Sequence, residues 1–157
     1  MERIILLIQG CLVPLIAGIT VYIAWQQAKT SRAQYRLNLY EKRYALYEAT
    51  RRLLGEIVKN GRFVDSPTAE EFWRQAEGAE FIFGKDKDVV KFLRNLRKEH
   101  MKLAWQSGCL RTSAEGGLPI GDERNKVAKD HSDLVAWFMA QLDQLTGQFY
   151  EYLKCEE

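Results

Sequence analysis

The stretch IILLIQGCLVPLIAGITVYIAW (residues 4–25) decides how the chain is to be read, because no charge interrupts it. About 20 apolar residues in a helix, each rising ~1.5 Å, reach across the ~30 Å hydrocarbon layer of a bilayer. The run therefore predicts a transmembrane helix over residues 4–25. Such a helix closes its own backbone hydrogen bonds inside lipid, and Gln9 is the one strongly polar side chain it must carry there. Tyr22 and Trp25 stand at its end, where amphipathic rings anchor a span at the headgroups, and Lys29, Arg32 and Arg36 follow as a basic cluster. Arg3 is balanced by Glu2 on the other side, so the excess of positive charge puts the N-terminus in the periplasm and the rest in the cytoplasm.

Other readings of the run fare less well. A cleaved signal peptide has an apolar region of about 7 to 15 residues and small residues before the cut, whereas this run is longer and closes on Tyr22, Ile23 and Trp25. The tetrapeptide IQGC resembles a lipoprotein cleavage box, but the apolar run continues well beyond Cys11. A core helix of a globular protein rarely stays uncharged on every face for so long. Within the run Gly10, Pro14 and Gly18 recur every fourth residue, a stripe of low bulk where a second helix could approach and the chain could form a homo-oligomer.

Beyond residue 25 the chain turns polar but stays helical in pattern. Residues 26–36 read as a basic juxtamembrane helix and residues 37–157 as a cytoplasmic four-helix bundle. The first helix carries two neighbouring stripes, one of Leu37, Tyr40, Tyr44, Tyr47, Leu54 and Val58, the other of Leu39, Leu46, Leu53 and Ile57. Glu41, Glu48, Arg52, Glu56 and Lys59 read as its solvated side, and Asn60-Gly61 as its stop. Ser66-Pro67 starts a second helix that runs to Gly84 through Phe72, Trp73 and Phe83. Asp86 caps a third, whose apolar line is Val89, Leu93, Leu96, His100 and Leu103, with Phe92 and Met101 beside it. WQSGCLRTSAEGGLPIG (residues 105–121) reads as a mobile loop. A last helix over residues 122–153 lines up Val127, His131, Leu134, Phe138, Leu142, Leu145, Phe149 and Tyr152. The fold class that follows is all-α, an N-terminal transmembrane helix continuing into an antiparallel cytoplasmic bundle.

Composition and motifs narrow the activities. Among 157 residues, 23 basic and 21 acidic side chains leave a formal charge of +2, which calls for no nucleic acid. The cysteines are three, far apart and without C-x-x-C, and read as reduced thiols of a cytoplasmic body. Di-iron bundles need Glu three residues before His, but Arg97 precedes His100 and Ala128 precedes His131. GGLPIG fits neither a dinucleotide fingerprint nor a P-loop. These observations predict no enzyme and no cofactor, with a metal-dependent enzyme built on His100 and His131 as the alternative. The segments LYEKRYALYEATRRLL, AEFIFG and LVAWFMAQLDQLTGQFYEYLK resemble a recurrent group of uncharacterised bacterial helical proteins that often carry a similar N-terminal span. The resemblance implies an all-helical bacterial inner-membrane protein and transfers no catalytic residue. The expected role is a single-pass, signal-anchored protein that presents its bundle to a membrane or cytoplasmic protein partner, with the lipid bilayer as its other contact.

Overall fold

The computed structural model describes the backbone of residues 2–63, 65–85, 87–111 and 115–154, and side chains from Pro14 onward. Among the described residues the fold is all-helical and has no strand. The elements are α1 (Glu2–Asn60), α2 (Pro67–Glu77), α3 (Ala79–Phe83), α4 (Asp88–Cys109) and α5 (Asp122–Leu153). The chain divides into two compact units, Met1–Leu39 and Tyr40–Glu157.

The first unit is helix alone, part of the 59-residue α1, which passes Pro14 without a break. Its residues 14–38 are exposed throughout, apolar and polar alike. Among the described residues no helix is long and apolar enough to cross a membrane. The described part of the apolar run, residues 14–25, amounts to roughly 18 Å of helix, and the side chains of residues 4–13 lie outside those described.

In the second unit the opening helix is the part of α1 from Tyr40 onward. Leu46, Thr50, Leu53, Leu54 and Ile57 are fully buried in it, so the core line runs along the Leu46 seam and the tyrosines flank it. Tyr40 and Tyr44 are stacked nearly parallel at 6.2 Å, Tyr44 and Tyr47 are tilted at 6.0 Å, and Tyr47 meets Phe149 of α5 at 5.6 Å. The helix stops at Asn60 because Gly61 takes φ +60, a left-handed turn that glycine adopts at no steric cost, and its N–H closes on Ile57 O at 2.8 Å.

Ser66 caps α2 by accepting from the Ala69 N–H at 3.3 Å, with Pro67 in the first turn. The second helix expected up to Gly84 is interrupted at Gly78, whose N–H bonds to Gln75 O at 3.2 Å instead of continuing the ladder. Two short helices result, and Gly84 at φ +94 ends the second. Asp86, the expected cap of the next helix, lies outside the described residues.

α4 keeps the expected line, with Val89, Leu93, Leu96, His100 and Leu103 buried, but Met101 beside it is exposed. It also corrects the loop boundary, since residues 105–109 are helical and Gln106 is buried. The loop that follows is tied to α5 by one guanidinium. Arg124 donates to Leu110 O at 2.7 Å, Arg111 O at 3.0 Å and Leu118 O at 2.6 Å.

The four rods alternate in direction. At one end Arg43 of α1 reaches both Ile82 O of α3 and Tyr152 O of α5. At the other, Phe63 N–H bonds to Ser107 Oγ of α4, which lies 3.3 Å from His131 Nε2 of α5. Tyr40–Glu157 is thus an antiparallel helical bundle around Phe72, Phe138 and Phe149.

Candidate functional site

Three places hold side chains that could do more than pack. The first is the exposed face of the first unit. Tyr22, Trp25 and Lys29 follow one another at helical spacing, with the two rings 6.4 Å apart and Lys29 Nζ 5.8 Å from the Trp25 ring centre. Gln26 donates to the Tyr22 hydroxyl at 3.2 Å. Thr20 Oγ1 donates to Ile16 O at 2.8 Å and Thr30 Oγ1 to Gln26 O at 3.0 Å. Each of these bonds is made within the helix itself. Arg32 and Arg36 are exposed beyond them. Of the glycine stripe, Gly10 lies outside the described side chains. Pro14 is exposed, and a Cβ added at Gly18 would meet open space.

The second place is the end of the bundle at Arg43. Its guanidinium bonds to carbonyls in the last turns of two helices, at 3.3 Å and 3.4 Å, and sits 5.5 Å from the Phe83 ring and 5.9 Å from that of Tyr152. A cation there satisfies carbonyls left over at helix ends and complements two macrodipoles. The sequence groups Arg43 with the basic flank of the apolar run, whereas the fold spends it on holding the bundle together. Glu56 is a similar case, expected on the solvated side of α1. Its carboxylate accepts from Ser66 Oγ at 2.6 Å and Thr68 Oγ1 at 2.7 Å, and these two bonds hold its pKa below the usual value. Glu80 of α3 pairs with Arg94 of α4, joining the two helices.

The third place contains the histidines. His100 is fully buried, flanked by the rings of Phe63 at 4.9 Å and Trp73 at 5.7 Å, and among the described residues neither ring nitrogen has a hydrogen-bond partner. Burial alone drives its pKa down to about 4, so the imidazole is neutral at physiological pH. Arg97 covers the outer face of Trp73, 4.6 Å from the ring centre. His131 is half-buried beside Ser107, and burial lowers its pKa as well. Among the described residues no group of three or more His, Cys, Asp or Glu is arranged to hold a metal ion. His100 is walled by aromatic rings and His131 faces a hydroxyl, an arrangement that suits packing.

No protein-family model, curated protein or solved structure matches the chain. The functional reading therefore rests on the chain's own residues, and the first unit is where they are least explained by the needs of folding.

Proposed function

We propose that the chain is a single-pass bacterial inner-membrane protein, N-terminus in the periplasm, whose first unit anchors a cytoplasmic helical bundle that acts by protein contact. The observation that carries this is the uncharged run of residues 4–25, continued in α1 by the Tyr22, Trp25, Lys29 series. Left in water, Leu15, Ile16, Ile19, Val21 and Ile23 would form an exposed apolar surface of the kind that marks a membrane or protein contact. Lipid covers all sides of such a helix at once, and the internal hydrogen bond of Thr20 fits that surrounding.

Anchoring supplies the mechanism. A module confined to the membrane surface meets a membrane-bound partner at a much raised effective concentration, without any added contact. Lys29, Arg32 and Arg36 add about 1 kcal/mol each where the inner leaflet is anionic.

Fractionation of cells expressing the intact chain tests the anchor. The chain should stay in the membrane pellet through high salt and alkaline carbonate and be released by detergent. Protease added outside spheroplasts should leave the bundle intact. Full release without detergent, or digestion of the bundle from outside, defeats the reading. Crosslinking in cells then identifies the protein partner.

A further inference from the structure

One face of α1 is arranged for a partner that the bundle does not provide. Starting from Ile16, the residues Ile19, Ile23, Gln26 and Thr30 follow at spacings of three, four, three and four. The same alternation continues through Ala33, Leu37, Tyr40 and Tyr44. This is a heptad seam four repeats long, with Ile16, Ile23, Thr30, Leu37 and Tyr44 at one core position of the repeat. Every member from Ile16 to Leu37 is exposed, Leu37 by 57%, and Tyr44 remains 43% exposed. The next residue in register, Tyr47, packs on Phe149 and bonds to Thr146, so the bundle takes over the seam there.

The flanks of the seam say what covers it. On one side stand Lys29 and Arg36, on the other Gln34 and Glu41, each pair one heptad apart. Two copies aligned in parallel set the first flank of one against the second flank of the other five residues on, so Arg36 meets Glu41 and Lys29 meets Gln34. An antiparallel alignment would set Lys29 and Arg36 against their own kind. Arg43 and Glu48 continue the two flanks but are engaged within the chain, with Ile82 O and Tyr152 O and with Arg52. The charge pairing therefore ends where the apolar seam does.

From this we infer that α1 forms a parallel, left-handed coiled coil with α1 of a second copy through the seam from Ile16 to Tyr44. Gln26 and Thr30 interrupt the apolar seam, and polar residues at such positions fix register at some cost in stability. The glycine stripe lies on the opposite side, since Gly18 falls two residues past Ile16 and one short of Ile19. The inference deepens the anchored reading by naming one partner and its alignment, but the charge flanks argue for parallel pairing in lipid or out of it.

Disulfide scanning of the intact chain tests it, with Cys11, Cys109 and Cys155 changed to Ser and single cysteines placed along α1. Oxidation in native membranes should give several-fold more dimer for A33C and L37C than for S31C and N38C, and more for I19C than for G18C. With L37C in place, Arg36→Glu or Glu41→Arg should lower the dimer several-fold and the two together should restore it. A flat profile, a maximum at positions 18, 31 and 38, or a double exchange no better than the single ones overturns the seam. Dimer of the expected pattern found in the soluble fraction would keep the seam and remove the membrane, so the two readings fail separately.

Discussion

Ile16, Ile19 and Ile23 in the first unit and Leu46, Leu53 and Ile57 in the second belong to the same helix and the same class of side chain, yet their surroundings are opposite. The first three are about half exposed, and the last three keep 1% or less of their surface. The difference lies in what the rest of the chain offers them. Beyond Tyr40, Leu46, Leu53, Leu54 and Ile57 of α1 join one buried core with residues of α2, α3, α4 and α5, whereas residues 14–38 are exposed throughout. Apolar side chains are thus buried in one part of the helix and exposed in the other.

Substitutions can break that contrast, and the largest effect is expected in the core. Phe149→Ala removes a fully buried ring that touches Tyr47 and Phe83, and should cost about 3–5 kcal/mol in denaturant unfolding of the intact chain. Ile19→Ala, as large a change in kind, should leave the same transition within about 0.5 kcal/mol.

The next effect is set by pH. Above 6.5 the His100 imidazole is neutral in the folded and unfolded chain alike. Between 6.5 and about 4 only the unfolded chain takes up the proton, so stability falls as pH falls through that window. The loss should total about 3 kcal/mol, and His100→Leu should remove most of the slope between pH 6.5 and 5. Glu56 adds a loss of the same sign only lower down, because its depressed pKa stabilises the fold above the ordinary carboxylate value and that gain disappears on acidification.

Smaller effects separate basic residues that look alike in the sequence. Arg43→Ala should cost about 1–3 kcal/mol and Arg43→Lys should recover little, since lysine lacks the planar fork that reaches two carbonyls. Arg36→Ala should not alter the unfolding transition of the bundle. Smallest of all, Ser66→Ala should cost about 1 kcal/mol through the lost cap of α2 and the lost partner of Glu56.

The helices were legible because their apolar lines have the right period. Asn60-Gly61 and Ser66-Pro67 fall where the local chemistry requires them, and α5 spans the stretch its apolar line marks. The misreadings share a cause. Gly78 breaks the second helix without any neighbouring proline or polar cluster to announce it. Residues 105–109 look like loop by composition, but Gln106 follows Leu103 at helical spacing and is buried with it.

The ties made by Arg43, Glu56 and Arg124 are not legible from charge alone, since a charged side chain is most simply placed in solvent. A signal was present in two of them. Arg43 stands four residues after Leu39 and three before Leu46, and Arg124 three before Val127, so both lie on apolar lines. A guanidinium there can keep its stem in the core and its head at the edge. Residues 14–25 of the apolar run are exposed, so packing within the described chain does not say what covers them.

The grip of Arg124 on the α4–α5 connection has a consequence of its own. The three bonds go to main-chain oxygens, so they do not depend on which side chains those three positions carry. Replacement of Leu110, Arg111 or Leu118 leaves each oxygen in place to be held, whereas loss of the single arginine frees all three together. The identity of those three positions is thus open to change while the main chain at each of them stays held.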